Sequence, residues 1–321
     1  MIIQNTRIQL RHGTSEALAA VNEVPLVGEL VFETDTGRYK IGDGTTVWNN
    51  LRYIDDETAS GSGGDNILNY NNAGTHNSIY LEGDLGNTLT AVQSAAIRAG
   101  TFENIYVGKT WTFHNVLYTY VNENDENTSD TYSGTMRAAD CDYFLRCGDT
   151  DLTAHHVVVV PDENLFEAKM NDTATTTGGY VGSKMYTTHL RRAEAIFKAC
   201  FGEDHILSHR EFLVSLVVEG KPSGGIWADR LVDLMDERMV YGSLIFDSGS
   251  SDGTNSCYRH SISQKQLNLF RHRPDLIGIR STYWLRNVVS GTSFALVNSP
   301  GLCGYDHANY SFGVRPFALI Y

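Results

Sequence analysis

The chain has 321 residues, a formal net charge of −13 and a sequence pI near 5.2. This acidic balance argues against nucleic-acid binding, which normally requires clustered Lys and Arg to displace counterions from phosphates. No apolar run approaches the roughly 20 residues of a membrane span, and the N-terminal segment lacks the apolar core of a signal peptide. We therefore expect a soluble protein that is made in a cytoplasm and does not insert into a membrane.

The cysteine content supports the same compartment. Five cysteines are an odd number, and none of them forms a C-x-x-C pair or an even disulfide framework. Reduced thiols are typical of a cytoplasmic product. The cysteines are Cys141, Cys147, Cys200, Cys257 and Cys303.

Residues 1–54 contain short alternating segments, among them "TRIQLRH", "ELVFE", "GRYKI" and "TVWNNLRYI". Two glycine turns, Thr34–Gly37 and Gly42–Gly44, separate these segments, because Asp and Gly adopt the left-handed conformations that tight turns need. The pattern predicts a small β-meander. A unit of this size is marginally stable alone, and no cysteine precedes Cys141, so we expect self-association to stabilise it.

The next two segments connect this unit to the rest of the chain. Residues 55–66, "DDETASGSGGDN", are acidic and then rich in Gly and Ser, which is typical of a flexible linker. Residues 67–100 form a short helical or connector segment. Its helix is predicted to begin at a Thr88 cap and to end at Gly100.

Residues 101–321 form a body of mixed strands and helices, so the predicted fold class is α+β. Strands are expected in "NIYVGKTWTF", "NVLYTYV", "DYFLR" and "HHVVVVP", with a polar surface loop in "NENDENTSDTYSG". Amphipathic helices are predicted near 184–201, 209–219 and 227–239. Ser208 and Glu211 would form the capping box of the second helix.

Several strings suggest chemistry, and each has a plainer interpretation. Residues 249–253 satisfy G-x-S-x-G, but the following "TNSCYRH" is a poor helix start, which favours a polar loop. His205 and His209 have the i, i+4 spacing of metal ligands, yet the expected cap at Ser208 separates them. His155 and His156 would point to opposite sides of a strand. The carboxylates of Asp35 and Asp43 fit turns better than a calcium loop. We therefore expect no catalytic residues, metal site or cofactor.

The C-terminal stretch has a different composition, in which aromatic residues alternate with small polar ones. Rigid tyrosines supply contact area at low entropic cost and small polar side chains adapt their hydrogen bonds, a mixture that also occurs in antibody paratopes. The alternative is that a β-rich protein simply ends in polar loops with core aromatics.

Two segments resemble parts of known proteins. "RHGTSEALAAVNEVPLVGELVFETDTGRYKIGDGTTVWNNLRYI" resembles the N-terminal module of bacteriophage fibre and tropism-determinant proteins, with the run Glu33–Gly44 and Trp48 among the matching residues. This resemblance implies a β-prism that trimerises and anchors a fibre to other virion proteins. "YWLRNVVSG…FALVN…GVRPFALIY" resembles the end of C-type-lectin-like domains in phage receptor-binding proteins. It implies a C-type-lectin-like body in which Trp284 and Arg315 are structural.

The lectin-like resemblance implies a binding surface in the loops between Trp284 and the last strand. The expected contact residues are Asn287, Thr292, Ser293, Asn298, Leu302, Tyr305, Asp306, His307, Asn309 and Tyr310. The calcium-binding E-P-N, Q-P-D and W-N-D motifs of sugar-binding lectins are absent from the body. Calcium-mediated sugar binding and a formylglycine-generating oxidase, which needs a close cysteine pair, are therefore disfavoured.

Together the resemblances imply a homotrimeric phage fibre protein of the virion that binds a bacterial surface protein or glycan and is not an enzyme. Three linked bodies would bind a repetitive surface with avidity. One alternative places the same fold on the capsid as a head fibre. The other is a depolymerase that cleaves surface glycan, which would require two carboxylates at hydrolase spacing.

Overall fold

The computed structural model describes residues 10–54, 71–246 and 265–321. The chain divides into two compact units, Met1–Ile67 and Leu68–Tyr321. The second unit includes the segment expected to be a connector, because residues of that segment pair within its main sheet. In the described residues the architecture is a mixture of α and β structure with mostly sheet and few helices.

The N-terminal unit is a three-stranded sheet with one helix. Its strands are β1 (Arg11–Gly13), β2 (Leu30–Glu33) and β3 (Tyr39–Ile41), in the order β1-β2-β3. β1 and β2 are parallel, so the simple meander was wrong: parallel strands need a crossover, and helix α1 (Ser15–Val21) lies in it. "TVWNNLRYI" was expected to be β, but Trp48–Asn50 forms a 3₁₀ turn.

Polar side chains hold the turns of this unit. The Asp43 carboxylate accepts hydrogen bonds from the backbone N–H groups of Thr45 and Thr46, at 2.8 and 2.7 Å, and these bonds together with that of the Thr46 hydroxyl lower its pKa. Asp35 accepts from the Ser15 backbone N–H at 2.8 Å. Both aspartates therefore shape turns. Gly37 and Gly44 have φ of 72° and 76°, the left-handed region expected for these turns.

The second unit contains two larger sheets and a separate hairpin. Its strands are β4 (Tyr80–Asp84), β5 (Val107–Val121), β6 (Asn127–Cys141), β7 (Val157–Pro161), β8 (Phe166–Lys169), β9 (Ile206–Leu207), β10 (His209–Val218), β11 (Lys221–Arg230), β12 (Val232–Leu234), β13 (Tyr283–Val288), β14 (Ser293–Val297), β15 (Cys303–His307), β16 (Ser311–Val314) and β17 (Pro316–Ile320).

The largest sheet has seven strands, with the order β12-β17-β7-β6-β5-β4 and β9 paired to β17. β4 and β5 are parallel, whereas the other pairs are antiparallel. The second sheet has five strands in the order β15-β14-β13-β16-β8, and β10 and β11 form the hairpin. The loop expected in "NENDENTSDTYSG" is short, since β6 already begins at Asn127.

The helices of this unit are short. They are α2 (Ala73–Ser78), α3 (Ala91–Arg98), α4 (Leu190–Phe201), α5 (Glu237–Tyr241) and α6 (Asn268–His272). The helix predicted at 184–201 is confirmed as a π turn, Met185–His189, that continues into α4. "DYFLR" was expected to be a strand, but it forms turns in which Asp142 and Arg146 have φ of 60° and 61°.

Two helix predictions were wrong. Residues 209–218 form β10, in which the alternating side chains of His209, Glu211 and Leu213 are buried. Glu211 therefore cannot cap a helix. Residues 227–234 belong mainly to β11 and β12, and α5 overlaps the third predicted helix only at residues 237–239.

The core covers both faces of the main sheet. On β7, Val157 and Val159 pack in one hydrophobic cluster with Trp111 and Phe197, while Val158 and Val160 pack in the other with Phe317. A strand covered on both faces needs a continuous apolar run, which explains "VVVV".

Two residues assigned to structure are buried in this core. The Trp284 indole N–H donates to the Ala168 carbonyl at 3.0 Å. The Arg315 guanidinium donates to the Pro161 carbonyl at 2.9 Å and the Leu276 carbonyl at 3.1 Å. β15, β14 and β13 are neighbours in one sheet. Because Trp284 anchors β13 and Arg315 anchors the chain directly after β16, these contacts fix the position of the loops between β13 and β16.

Candidate functional site

The expected contact residues lie along β13 to β16, but they are not equally accessible. Asn287 and Ser293 are buried, and the Asn287 amide oxygen accepts a hydrogen bond from the Glu237 backbone N–H at 2.8 Å. Leu302, Tyr305 and Tyr310 are the large apolar residues of this stretch that are exposed. We call Leu302, Tyr305, His307 and Tyr310 the β15 surface.

Short turns set the shape of the β15 surface. The Asn298 side chain accepts from the Leu302 backbone N–H at 2.8 Å, which closes the turn before β15. The Asp306 carboxylate accepts from the His307 backbone N–H at 2.8 Å. The Tyr310 N–H donates to the His307 carbonyl at 3.0 Å and closes the turn after the strand. Asn298 and Asp306 thus position the exposed residues.

Ring contacts give the exposed tyrosines a fixed orientation. Tyr305 is 54% exposed and packs edge-on against Phe246, with ring centroids 5.0 Å apart. Tyr310 is 49% exposed and contacts His307 and Phe312, at 5.9 and 6.5 Å. Phe312 in turn packs against Trp284 at 5.0 Å. Anchored aromatic rings that are half exposed supply adhesive area with little loss of entropy on binding.

A concave site lies elsewhere in the same unit. This cleft has a volume of about 690 Å³ and is lined by the end of the β5–β6 hairpin, by β8, by the π turn and α4, and by Ser311. No local sequence pattern predicts this cleft, because its lining comes from segments that are far apart in the chain.

A lysine joins two acidic residues in the cleft. The Lys184 ammonium lies 2.8 Å from Glu123 Oε2 and 2.9 Å from Asp172 Oδ1. Its hydrogen bonds lower the pKa of both carboxyls, and the same bonds raise the pKa of Lys184. All three groups are therefore ionised near neutral pH.

Arg192 is fixed beside this group. Its Nε donates to the Tyr118 hydroxyl at 2.9 Å and its Nη2 to Asp130 Oδ2 at 2.8 Å. The guanidinium carbon lies 4.8 Å from the ring centroid of Phe166 and 5.4 Å from that of Tyr120, within cation–π distance. Nearby, burial and then the charge of Lys184 lower the pKa of His189, which keeps that imidazole neutral at pH 7.

Behind β10 and β13, a buried ionic network replaces the expected helix cap. Arg286 forms an ion pair with Glu211 and lies 3.6 Å from carboxylate oxygens of both Asp233 and Asp236. Burial opposes the charge of Arg286, but these carboxylates, Glu211 foremost, raise its pKa. His209 Nε2 lies 2.9 Å from Glu211 Oε1. Only the fold brings β10, β12 and β13 together, so sequence spacing did not reveal the network.

The remaining candidates have structural partners. In the part of the chain that the structure describes, no group of three or more His, Cys, Asp and Glu is placed to hold a metal ion. His156 Nε2 accepts from the Phe144 N–H at 3.0 Å, and His155 contacts Asp142 at 2.7 Å. His205 contacts the Tyr321 carbonyl at 3.0 Å.

Two further predictions concern the cysteines and the G-x-S-x-G string at residues 249–253. Cys141, Cys147, Cys200 and Cys303 are free thiols, as expected. Residues 249–253 and Cys257 lie outside the described residues. Among the described helices, none is long and apolar enough to cross a membrane.

A comparison with protein families decides the nature of the N-terminal unit. Residues 8–46 match the family model described as the major tropism determinant N-terminal domain. The resemblance to phage fibre and tropism-determinant proteins is confirmed. The matching residues include the Asp35 and Asp43 turns and the β1–β3 sheet. No curated protein matches the chain.

Solved structures similar to the chain include two phage proteins and a hyaluronidase trimer. A full-length streptococcal bacteriophage hyaluronidase in complex with unsaturated hyaluronan octasaccharides is 36% identical over 18% of this chain and 16% of its own, with a TM-score of 0.15. A group A streptococcal phage tail fibre showing hyaluronan lyase activity is 30% identical over 19% and 20%, with a TM-score of 0.16. A hyaluronidase trimer in complex with ascorbic acid is 29% identical over 20% of each chain, with a TM-score of 0.15.

These comparisons correct one prediction. The chain was expected not to be an enzyme, but the matched proteins are two hyaluronidases and a phage tail fibre that shows hyaluronan lyase activity. The prediction that the chain is not an enzyme is therefore contradicted. Each match spans only a fifth or less of the matched protein.

Proposed function

We propose that the chain is a homotrimeric phage virion fibre protein, in which the N-terminal unit trimerises as a β-prism and attaches to other virion proteins. The body, with a C-type-lectin-like layout, binds a protein or glycan of the bacterial surface through the β15 surface. The observation that carries this proposal is the tropism-determinant match at residues 8–46, in a unit separate from the larger body.

The surface of the N-terminal unit supports trimer formation. Leu26 and Val27 are 74% and 81% exposed, and Val21 is also exposed, whereas Val31 and Trp48 are the buried hydrophobic residues of the described part of this unit. Exposed apolar groups on so small a unit favour contact with other copies. The buried Lys40 ammonium donates to the Trp48 carbonyl at 2.9 Å and so supports the fold with polar contacts.

Light scattering tests the assembly. The intact chain should have the mass of a trimer, and a chain that begins at Leu68 should have the mass of a monomer. A monomeric intact chain would contradict the proposed attachment module. Immunogold labelling of the virion would then distinguish a tail fibre from the alternative of a capsid-attached head fibre.

A cell-binding measurement tests the display of the body. Fluorescently labelled intact chain should bind susceptible bacteria and compete with the phage for adsorption. Avidity from three linked bodies predicts that the monomeric body binds much more weakly, by a factor on the order of 100. Equal binding by the two forms would contradict the role assigned to the trimer.

A second candidate function is a surface-glycan depolymerase, and the cleft is the observation that favours it. Glu123 and Asp172 lie within hydrogen-bond distance of one ammonium group, so the two carboxylates are close neighbours, as glycoside hydrolysis requires. Their pKa values are lowered while Lys184 is in place. Release of reducing ends from host polysaccharide, lost in Glu123→Gln and Asp172→Asn, would establish this activity.

A further inference from the structure

We propose that the cleft between the β5–β6 hairpin, β8 and α4 binds an uncharged oligosaccharide. This inference rests on the proposed function in one respect, that the saccharide belongs to the bacterial surface. The shape, polarity and charge pairing of the cleft support the site itself.

The shape and chemistry of the cleft suit a sugar. Its volume of about 690 Å³ falls within the range of roughly 300–1,000 Å³ typical of ligand pockets. Tyr120 and Phe166 contribute aromatic rings to the lining, and Asn124, Thr188 and Ser311 contribute an amide and hydroxyl groups. A pyranose has C–H faces that pack on aromatic rings, whose faces carry partial negative charge, and hydroxyl groups that need polar partners.

The charges of the cleft balance internally. Its lining includes three acidic and three basic side chains, namely Glu123, Glu167, Asp172, Lys169, Lys184 and Arg192. Lys184 already pairs with Glu123 and Asp172, and Arg192 with Asp130. An acidic ligand that approached Lys184 or Arg192 would have to displace one of these carboxylates and then lie near the others. A neutral ligand could bind without displacing any of these carboxylates.

The paired carboxylates can still bind hydroxyl groups. An ionised carboxylate offers about four lone-pair sites, of which the lysine takes only some. The side chains of Asp172 and Glu123 are 68% and 52% exposed, so their remaining acceptor sites are accessible to a ligand. Sugar hydroxyls would donate charge-assisted hydrogen bonds to them, which are about twice as strong as neutral ones.

The cleft is also preorganised. The Arg192 guanidinium is held by Tyr118, Asp130 and the Phe166 ring, and Lys184 is held by two carboxylates. A ligand therefore does not have to order these long side chains, and less of the binding free energy is lost to conformational entropy.

Titration calorimetry and saturation-transfer NMR on the intact chain test the proposal. The neutral probes are isomaltotriose, maltotriose and triacetylchitotriose, and the acidic probes are trigalacturonate and a hyaluronan tetrasaccharide. At least one neutral probe should bind, with a Kd on the order of 1 mM, and more tightly than either acidic probe. Binding of none of the neutral probes, or tighter binding of an acidic one, would overturn the proposal.

Two cleft variants and one control variant test whether the saccharide binds in the cleft. Ser311→Trp fills the rim and should weaken binding about tenfold or more, whereas Thr131→Trp, at an exposed β6 position outside the lining, should not change it. Glu123→Gln with Asp172→Asn leaves Lys184 uncompensated, so the acidic probes should gain about tenfold relative to the neutral probe. Unchanged affinities in both cleft variants would refute the site.

Cell binding separates this inference from the proposed function. If no neutral probe binds while the intact chain still binds bacteria, the cleft inference fails and the fibre function stands. If Ser311→Trp loses saccharide binding and the intact chain binds no bacteria, the cleft stands and the receptor-binding role fails.

Discussion

Tyr305 and Tyr310 expose part of their rings to solvent, while contacts with other aromatic residues hold the rings in place. Each is about half exposed; the ring of Tyr305 packs against Phe246, and the ring of Tyr310 contacts Phe312. Their loss should remove contact area with a partner but little buried packing.

We therefore predict that Tyr305→Ala with Tyr310→Ala weakens binding to bacteria at least about tenfold and changes the melting temperature only slightly. Leu117→Ala, at an exposed β5 position, is the matched control and should alter neither property. Cell-binding titration and calorimetry measure the two effects. A large loss of stability with unaltered cell binding would instead make these tyrosines structural.

Asp140 and His156 are buried groups with opposite effects on the pH dependence of stability. The Asp140 carboxylate accepts from the Asn268 N–H at 3.0 Å and from the Asn77 amide at 3.1 Å, and burial raises its pKa to about 6 despite Lys265. Burial lowers the pKa of His156 to about 4. Between pH 4 and 6 the folded state thus holds an extra proton on Asp140 and lacks one on His156.

The two effects should nearly cancel in the unaltered protein. As pH rises from 4 to 6, Asp140 lowers the free energy of unfolding and His156 raises it. In Asp140→Asn the His156 contribution is unopposed, so stability should rise across this window by up to about 3 kcal/mol relative to the unaltered chain. Urea midpoints at pH 4, 5 and 6 measure the difference. Parallel pH profiles of the two proteins would contradict the assigned pKa of Asp140.

Helix α3 shows what local sequence can and cannot predict about an element. The helix and its end at Gly100, with φ of 69°, were predicted correctly. The cap was placed at Thr88, whereas Thr90 is the residue whose hydroxyl accepts from the Gln93 N–H, while the Gln93 side chain accepts from the Thr90 N–H. Thr88 and Thr90 both precede the apolar residues of the helix. They differ in their capping partner, because Thr90 is the one that exchanges hydrogen bonds with Gln93.

Thr90→Ala should therefore lower the free energy of unfolding by about 1 kcal/mol. Thr88→Ala, two residues earlier and exposed, should have almost no effect. Chemical denaturation of both variants measures this. Equal losses, or a larger loss at Thr88, would show that the cap lies elsewhere.

Strand β10 shows where local pattern fails. "HREFLVSLVV" has apolar spacing that fits a helix, and Ser208 and Glu211 have the spacing of a capping box. In the fold, Glu211 instead pairs with Arg286 of β13, and His209 and Leu213 alternate with it towards the interior. A partner 75 positions away along the chain decides the element, so tertiary contacts override the local preference.

For the molecule as a whole, the sequence predicts more of the N-terminal unit than of the larger unit. The short N-terminal motif encodes its own turns, since Asp35 and Asp43 bind backbone groups nearby in that unit, and it was recognisable from local residues. The cleft depends on Glu123, Asp172, Lys184 and Ser311, which only the folded sheets bring together. The residues of the β15 surface, by contrast, are nearly consecutive in the chain, so the sequence can group them without the fold.

The last prediction concerns how the two units unfold. The N-terminal unit buries little apolar area and exposes Leu26 and Val27, so its stability should depend on association with other copies. The larger unit buries two large hydrophobic clusters of its own, so we expect its stability not to depend on association. Calorimetry at increasing protein concentration should therefore show one transition that moves to higher temperature and a second that does not.

A charge on the apolar surface provides the control for this experiment. Leu26→Asp with Val27→Asp should abolish the concentration dependence of the first transition and lower its temperature, because like charges would oppose association of the copies. The second transition should keep its position, since both substitutions lie outside the larger unit. Asn50→Asp adds a charge at an exposed position of the same unit and should leave both transitions nearly unchanged. A first transition that is independent of concentration in the unaltered chain would mean that the unit is stable as a single copy, and the reason for a trimer would be lost.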